Sequence, residues 1–359
     1  MKAIIATGIS EKDPISVFKY VEDHPKPKIS SNSVLIKTMA ASCNPADIFY
    51  VNGIYSKAPT HPMPKFSCPL GVDGAGEVVE VGWRVRKWKV GDRVMGVHHY
   101  MDGGTFGEYS TFQENELAKI PFAMDYVVAG SIPLVWLTAM KTLLKDPRLE
   151  EFHHSVQYAK VPGVDSILII GASGGIGSAA IFLAKQYFEI KNVYAVCSGK
   201  NASYCESLGA TQVINYQSEN YWEKLASQNV DVIVDNIGGL ENLKHCKDIL
   251  KEGGTYATNV PGGQNASLSG VLGFFYKLYV YSNFSSKKAK FCFNGATADG
   301  PLLQSIVDWL AGSATKFGID NIIYFPVRTL VYSLQDGIEG IKNVHSGRSV
   351  GKSVISFAQ

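Results

Sequence analysis

The sequence predicts an α/β protein of two domains: a doubly wound parallel sheet, and an irregular β-rich domain to which both ends of the chain contribute. Three observations predict it. From residue 167 to residue 294 short aliphatic strands alternate with amphipathic helices across short loops. The first 130 residues instead carry short strands punctuated by glycine, and the chain beyond 297 ends in a separate strand, helix, strand pattern. At 359 residues, with 46% hydrophobic and 18% charged side chains, the chain can bury two cores. The expected divisions are 1–130, 131–296 and 297–359, the last returning to the first.

In the first segment Val34–Met39, Gly76–Val81 and Arg93–Val97 read as strands, with turns at Gly91–Asp92 and Asp102–Gly104. In the middle segment Ile167–Ile170 is a run of four β-favouring aliphatics, suited to a strand covered on both faces. From Gly175 onward Ile176, Ala179, Ala180, Leu183, Ala184 and Tyr187 recur at helical spacing. Strands follow at Val193–Cys197, Gln212–Asn215, Asp231–Asp235, Gly254–Thr258 and Lys290–Asn294, with helices at Ala202–Leu208 and Leu240–Leu250. Right-handed crossovers wind such alternation into a Rossmann domain. The last segment reads as strand Ile322–Pro326, helix Leu334–Val344 and strand Lys352–Phe357.

Between the first aliphatic strand and its helix stands Gly171-Ala172-Ser173-Gly174-Gly175-Ile176-Gly177. Glycines there permit a tight turn, a close backbone approach to a pyrophosphate and tight packing of helix on sheet, while the helix N-terminus favours the anion. Gly174 and Gly177 fit the second and third glycines of the dinucleotide fingerprint, and Ala172 stands at the first. Ala172, Ser173, Gly174, Gly175, Ile176 and Gly177 are therefore candidate phosphate contacts; an ordinary strand–helix turn is the alternative.

The second strand ends Val196-Cys197-Ser198-Gly199-Lys200, with no carboxylate for a ribose 2′-hydroxyl. Ser198 as a donor and Lys200 as a charge suit a 2′-phosphate, which favours NADPH over NADH. A solvated lysine at a helix start is the alternative for Lys200. Asn259 and Val260 follow the fifth strand, at the edge where open parallel sheets bind nucleotides, with backbone groups placed for a carboxamide.

Composition excludes other classes. Lys plus Arg number 34 against 32 Asp plus Glu, so nothing electrostatic points to nucleic acid or an anionic membrane as partner. The apolar stretch Leu268–Phe284 is interrupted by Gly270, Gly273 and Lys277 and is too short to span a bilayer. The N-terminus reads as a first strand rather than a signal or transit peptide, giving a cytoplasmic expectation that leaves organelle import open. Cys43, Cys68, Cys197, Cys205, Cys246 and Cys292 form no C-x-x-C pair, so they are expected to be small buried residues in a reducing compartment. The pairs His98, His99 and His153, His154 lack partners at ligand spacing and are expected to be solvated or loop features.

Asn44-Pro45-Ala46-Asp47, Gly71–Gly76, Val90–Val94, Gly104–Tyr109, the Gly171–Gly177 turn, Leu208-Gly209-Ala210 and Gly347–Lys352 occur in the order found in medium-chain dehydrogenase/reductases. Over essentially its whole length the chain resembles that superfamily. It is most similar to the zinc-independent quinone oxidoreductase (zeta-crystallin) branch, and Ala195–Ser198 with Asp235–Gly239 resemble the subgroup of reticulon-4-interacting protein. The resemblance implies a GroES-like catalytic domain beside the Rossmann domain, with the ligand in the cleft between them, and a homodimer. Zinc-dependent members place a Cys and a His-Glu pair where this chain has Asn44 and Val72-Asp73, so no metal is expected. Cys43 is one position off, and in a strand that turns a side chain to the other face.

By the same resemblance Asn44 and Tyr55 line the nicotinamide cleft, with Tyr55 a candidate donor to the substrate oxygen; packing in a Gly-Ile-Tyr turn is the alternative. Relatives often carry a hydroxyl-bearing aromatic residue where this chain has Phe49, which removes any proton relay there. Thr138 is implied on the nicotinamide side, Tyr216 near the 2′-phosphate, and Phe293 and Lys352 as further cofactor contacts. Asp47 is expected to cap backbone N–H groups. The implied activity is an NADPH-dependent, zinc-independent reductase moving hydride to a quinone or α,β-unsaturated carbonyl; the alternative is an NADPH-binding accessory protein with little turnover. The segments 145–165 and 262–290 depart from the family pattern, and the latter is a candidate substrate cover or oligomer surface.

Overall fold

The computed structural model describes residues 1–54, 66–98, 104–154, 161–260, 268–284, 287–295, 297–316 and 327–357. The chain divides into two compact units, Met1–Leu137 with Thr297–Gln359, and Thr138–Ala296.

The second unit is built on six strands, all paired in parallel: Gln212–Asn215, Asn192–Cys197, Ser166–Ile170, Val230–Asp235, Leu250–Thr258 and Lys290–Phe293, in that spatial order. In chain order this is 3-2-1-4-5-6, so the winding reverses at Ser166–Ile170. All five residues of that strand are buried, as a strand covered on both faces requires. Leu168 and Ile170 join Val196, Ile214, Ile233, Tyr256 and Phe274 in one apolar cluster. The register aligns the strand ends: Ile170 pairs with Val196 and Asp235, Cys197 with Asn215, Asp235 with Thr258, and Thr258 with Phe293. Gly171, Ser198, Tyr216, Asn236, Asn259 and Asn294 therefore all leave the sheet at its carboxyl edge.

The strands expected within the described residues are present, and Gln212–Asn215 and Arg93–Val97 occupy the predicted residues. The fifth strand begins at Leu250 rather than Gly254, because Leu250 pairs with Val230 across an irregularity in the register. Two segments are more regular than their composition suggests. Pro147–His154, inside the polar 145–165 connection, is a helix whose start is tied by Arg148 N–H to Asp146 Oδ1 at 2.9 Å. Leu268–Phe284 is one continuous helix; Gly273 has open space where a side chain would stand, so it weakens the helix without breaking it. Among the described residues no helix is long and apolar enough to cross a membrane.

In the first unit the long strand Ser33–Cys43 pairs with Asp73–Val81, Tyr109–Gln113 and Lys352–Ser356, all antiparallel. Thr329–Ser333 flanks the last of these in parallel. The expected helix after it is Gly337–His345, three residues late because Leu334 belongs to the preceding turn and accepts from Gly337 N–H. The expected strand Ile322–Pro326 lies outside the described residues. A separate sheet orders Phe18–Val21, Ala3–Ala6 and Cys68–Pro69.

Asp231 fastens the start of the central parallel strands. Its carboxylate accepts from the N–H groups of Asp165 and Ser166 at 3.0 Å, from Ser166 Oγ at 2.9 Å and from Lys251 Nζ at 2.7 Å. Burial pushes this carboxyl up, but the bonds from Lys251, Ser166 and Asp165 outweigh it and hold the group below its ordinary range. Its contribution to stability is therefore present above the unfolded carboxyl value, near pH 4, and lost as pH falls. Asp231→Asn is expected to lower unfolding stability at pH 7 by about 1–3 kcal/mol, measured by urea denaturation, with the difference from wild type shrinking below about pH 4.

Candidate active site

Asn44 caps the helix Pro45–Val51 directly after the long strand of the first unit. Residue Ser353 pairs with Cys43, so the chain end sets Lys352 beside Asn44. Lys352 Nζ donates to Asn44 Oδ1 at 2.5 Å and to Cys43 O at 3.2 Å. Asn44 Nδ2 donates to Asp73 Oδ1 at 2.7 Å and to Ser42 O at 3.0 Å. Asp73 also accepts from Ser42 Oγ at 2.7 Å and from Leu134 N–H at 3.0 Å, at the start of the helix Pro133–Leu143. An ammonium, an amide and a carboxylate are thus in series, all buried. The amide has one orientation that satisfies both neighbours.

Burial raises the Asp73 carboxyl and lowers the Lys352 ammonium, and their mutual attraction opposes both shifts. Asp47 accepts from Asn44 N–H at 2.7 Å, the capping role expected of it. The Cys43 sulfur packs beside Gly340. Amide, carboxylate and a bonded ammonium are a poor donor set for zinc. Tyr55 lies outside the described residues.

In the second unit the glycine turn lets the helix pack closely against its strand. A Cβ on Gly177 would stand 2.3 Å from Gly171 O, so only glycine lets the helix Gly175–Phe182 meet the strand. A Cβ on Gly174 would meet only Gly171 O, at 3.5 Å, which leaves open space before the helix N-terminus. Ala172 is buried and bonds Val196 O through its N–H at 3.0 Å, tying the turn to the second strand. Ser173 Oγ accepts from Asn201 Nδ2 at 3.0 Å. Ser198 is nearly buried, whereas Lys200 and Tyr216 are exposed. Gly199 N–H donates to Asn215 Oδ1 at 2.9 Å, which fixes the loop carrying Ser198 and Lys200.

Sequence reasoning missed a second group in this unit. Asn259 Oδ1 accepts from Thr142 Oγ1 at 2.7 Å and Asn294 Nδ2 at 3.2 Å, and Asn259 Nδ2 donates to Asn236 Oδ1 at 2.9 Å. Asn294 Nδ2 also reaches Thr142 Oγ1 at 3.0 Å and Thr138 O at 3.3 Å. Only the shared sheet edge brings these asparagines together; their spacing carries no signal. Thr138 Oγ1 is buried without a partner in the described structure. The N–H groups of Asn259 and Val260 are engaged by Asp235 O at 3.3 Å and Thr258 Oγ1 at 3.2 Å. Phe293 is half-buried against Phe275, at 5.4 Å between ring centroids.

Two histidines correct the sequence reading, while His154 is exposed as expected. His98 is buried, with its ring edge-on to Phe112, because strand Arg93–Val97 carries it into the core. His153 stands on the helix Pro147–His154 and its Nδ1 bonds Tyr187 OH at 2.8 Å. His99 lies outside the described residues.

The Alcohol dehydrogenase GroES-like domain family matches residues 30–122 and the Zinc-binding dehydrogenase family matches residues 175–270. The mitochondrial NAD(P)H oxidoreductase RTN4IP1 of Bos taurus is 30% identical over 344 residues, covering 90% of this chain and 82% of that protein. The chain belongs to the medium-chain dehydrogenase/reductase superfamily, in its zinc-independent quinone oxidoreductase-like branch, and is an oxidoreductase. The 2-methylene-furan-3-one reductase of Solanum lycopersicum is 34% identical over 256 residues, covering 70% of this chain and 60% of that protein. Among solved structures, the quinone oxidoreductase of Coxiella burnetii superposes with a TM-score of 0.76 at 25% identity, covering 100% of this chain and 99% of that one. That of Escherichia coli complexed with NADPH gives 0.74 at 22% identity, covering 99% and 100%, a likeness of fold.

Burial pushes the Asp47 carboxyl up to about 8, against the lowering effect of Asn44 N–H. A carboxyl raised in the fold lends stability in full below its unfolded value, and that stability is lost as pH rises through the folded one. Wild-type stability is therefore expected to decline between about pH 4 and pH 8. Asp47→Asn should flatten that slope, gaining at least about 1 kcal/mol on wild type at pH 8 relative to pH 5, as read by urea denaturation across the range.

Proposed function

We propose that the protein is an NADPH-dependent, zinc-independent reductase that reduces a quinone or an α,β-unsaturated carbonyl. The observation that carries the cofactor reading is the end of the second strand, where Ser198 and Lys200 stand with no carboxylate beside them. Open space before Gly174 and the unpartnered hydroxyl of Thr138 fit a pyrophosphate and a carboxamide respectively. Bound NADPH supplies the hydride.

The chain's own residues bind and orient. Lys200 and Ser198 hold the 2′-phosphate beside Tyr216, and the N–H groups opening the helix at Gly175, Ile176 and Gly177 meet the pyrophosphate beside Ala172, Ser173 and Gly174. Thr138 donates to the carboxamide, with the carbonyls of Asn259 and Val260 accepting and Phe293 packing nearby. Asn44, held by Lys352, offers an amide of fixed orientation at the reacting end, and Tyr55 donates to the acceptor's oxygen, as the family resemblance implies. Such a site works by positioning more than by reactive side chains. The acceptor class is supported by the names of the tomato furanone reductase and of an NADPH-dependent alkenal/one oxidoreductase of Arabidopsis thaliana. Relatives named for mitochondria and chloroplasts favour an organelle over the cytosol. The homodimer implied by the resemblance belongs to the same reading.

The test is cofactor oxidation followed at 1:1 comparison of NADPH and NADH across quinones and enones. NADPH should be preferred, and Lys200→Ala should cut the NADPH to NADH ratio of kcat/KM by at least about tenfold, the loss of one charged contact. A preference for NADH, or an unchanged ratio in Lys200→Ala, contradicts the cofactor reading. Tight NADPH binding with no oxidation by any acceptor replaces the reductase with an accessory protein.

A further inference from the structure

Two cysteines flank the loop that carries Ser198 and Lys200. Cys197 is the last residue of the strand Asn192–Cys197, and Cys205 lies on the helix Ala202–Ser207. Both are buried, and Cys205 Sγ donates to Cys197 Sγ across 3.7 Å. A disulfide bond is about 2.05 Å long, so the sulfurs need approach by less than about 2 Å.

We propose that Cys197 and Cys205 are an oxidisable pair whose reversible disulfide distorts the 2′-phosphate loop and weakens NADPH binding. The segment between them is held at several points. Asn201 N–H bonds Ser198 O at 2.9 Å, Asn201 Nδ2 bonds Ser173 Oγ at 3.0 Å, and Gly199 N–H bonds Asn215 Oδ1 at 2.9 Å. Drawing the helix toward the strand end pulls on the segment that carries Ser198 and Asn201, and Asn201 is bonded to the glycine turn. Hydrogen-bond donation from Cys205 favours a thiolate at Cys197 and holds the Cys205 proton, which gives the pair an attacking and a resolving member.

The oxidant is a hydroperoxide. The Cys197 thiolate attacks one peroxide oxygen, the O–O bond breaks, and the departing oxygen takes a proton to leave as alcohol or water. The resulting sulfenic acid is attacked by the Cys205 sulfur; the S–O bond breaks and hydroxide leaves as water with the Cys205 proton. Two electrons pass from the two sulfurs to the peroxide, and a dithiol returns them.

The effect on NADPH rests on the phosphate reading of Ser198 and Lys200; the disulfide does not, and the two are measured separately. Reduced full-length protein is treated with hydrogen peroxide, its remaining thiols are blocked, and its peptides are mapped under non-reducing conditions. NADPH affinity is followed by fluorescence before oxidation, after it, and after dithiothreitol. The expected result is a Cys197–Cys205 linkage with NADPH bound at least about tenfold more weakly, restored by dithiothreitol. Cys205→Ala and Cys205→Ser should bind NADPH as the reduced wild type does and lose the response to peroxide. Absence of the linkage, or a linkage that leaves NADPH affinity unchanged, overturns the proposal. Failure of the reduced protein to bind NADPH counts against the cofactor reading, and the peptide map still decides the disulfide.

Discussion

An amide held between a buried ammonium and a buried carboxylate is the constraint around which the first unit is arranged. Lys352, Asn44 and Asp73 come from the chain's end, from the junction of its longest strand with a helix, and from the start of a third segment. Each of these groups is costly to bury alone. Together, with Ser42 and Leu134 completing the carboxylate's bonds, they are satisfied. The antiparallel pairing of Lys352–Ser356 with Ser33–Cys43 makes the arrangement possible, because it brings residues 44 and 352 together across the whole length of the chain.

The second unit is organised by register. Its strands end level with one another, so Ser198, Asn236, Asn259 and Asn294, each placed just after a strand, lie along one edge. Asp235 reinforces this edge: its carboxylate accepts from Tyr256 OH at 2.8 Å and from the N–H groups of Ile237 and Gly238 at 2.9 Å, shaping the turn beyond the fourth strand. Asn259 is fixed in turn by Asn236, Thr142 and Asn294. A preorganised edge of this kind suits a site that works by positioning.

Much of the fold was legible because its signals are local. Four aliphatics followed by a glycine turn mark strand and helix within a dozen residues, and the alternation repeats through the Rossmann unit. Elements set by tertiary pairing were less so: Val34–Met39 runs on to Cys43 because it is paired through to Ser353 and Asp73. In the candidate site, Asn44, Thr138 and Lys352 were reachable through family motifs. Thr142 and Asn294 were not, and Asn236 stood in the Asp235–Gly239 motif with nothing to pair it to Asn259, since their meeting depends on the fold, which no spacing encodes. His98 was misread because an imidazole beside a strand end is polar in composition, yet the strand turns it onto Phe112.

The departure from zinc chemistry has a positive counterpart in this arrangement: where zinc-dependent members of the superfamily carry metal ligands, an internal cation orients an amide. That claim is tested most directly by a double-mutant cycle on unfolding free energy with Asp73→Asn, Lys352→Met and the pair. Interaction through the Asn44 amide predicts a coupling of about 1–3 kcal/mol, the double variant losing less than the sum of the singles. Additivity within about 0.5 kcal/mol would contradict the account.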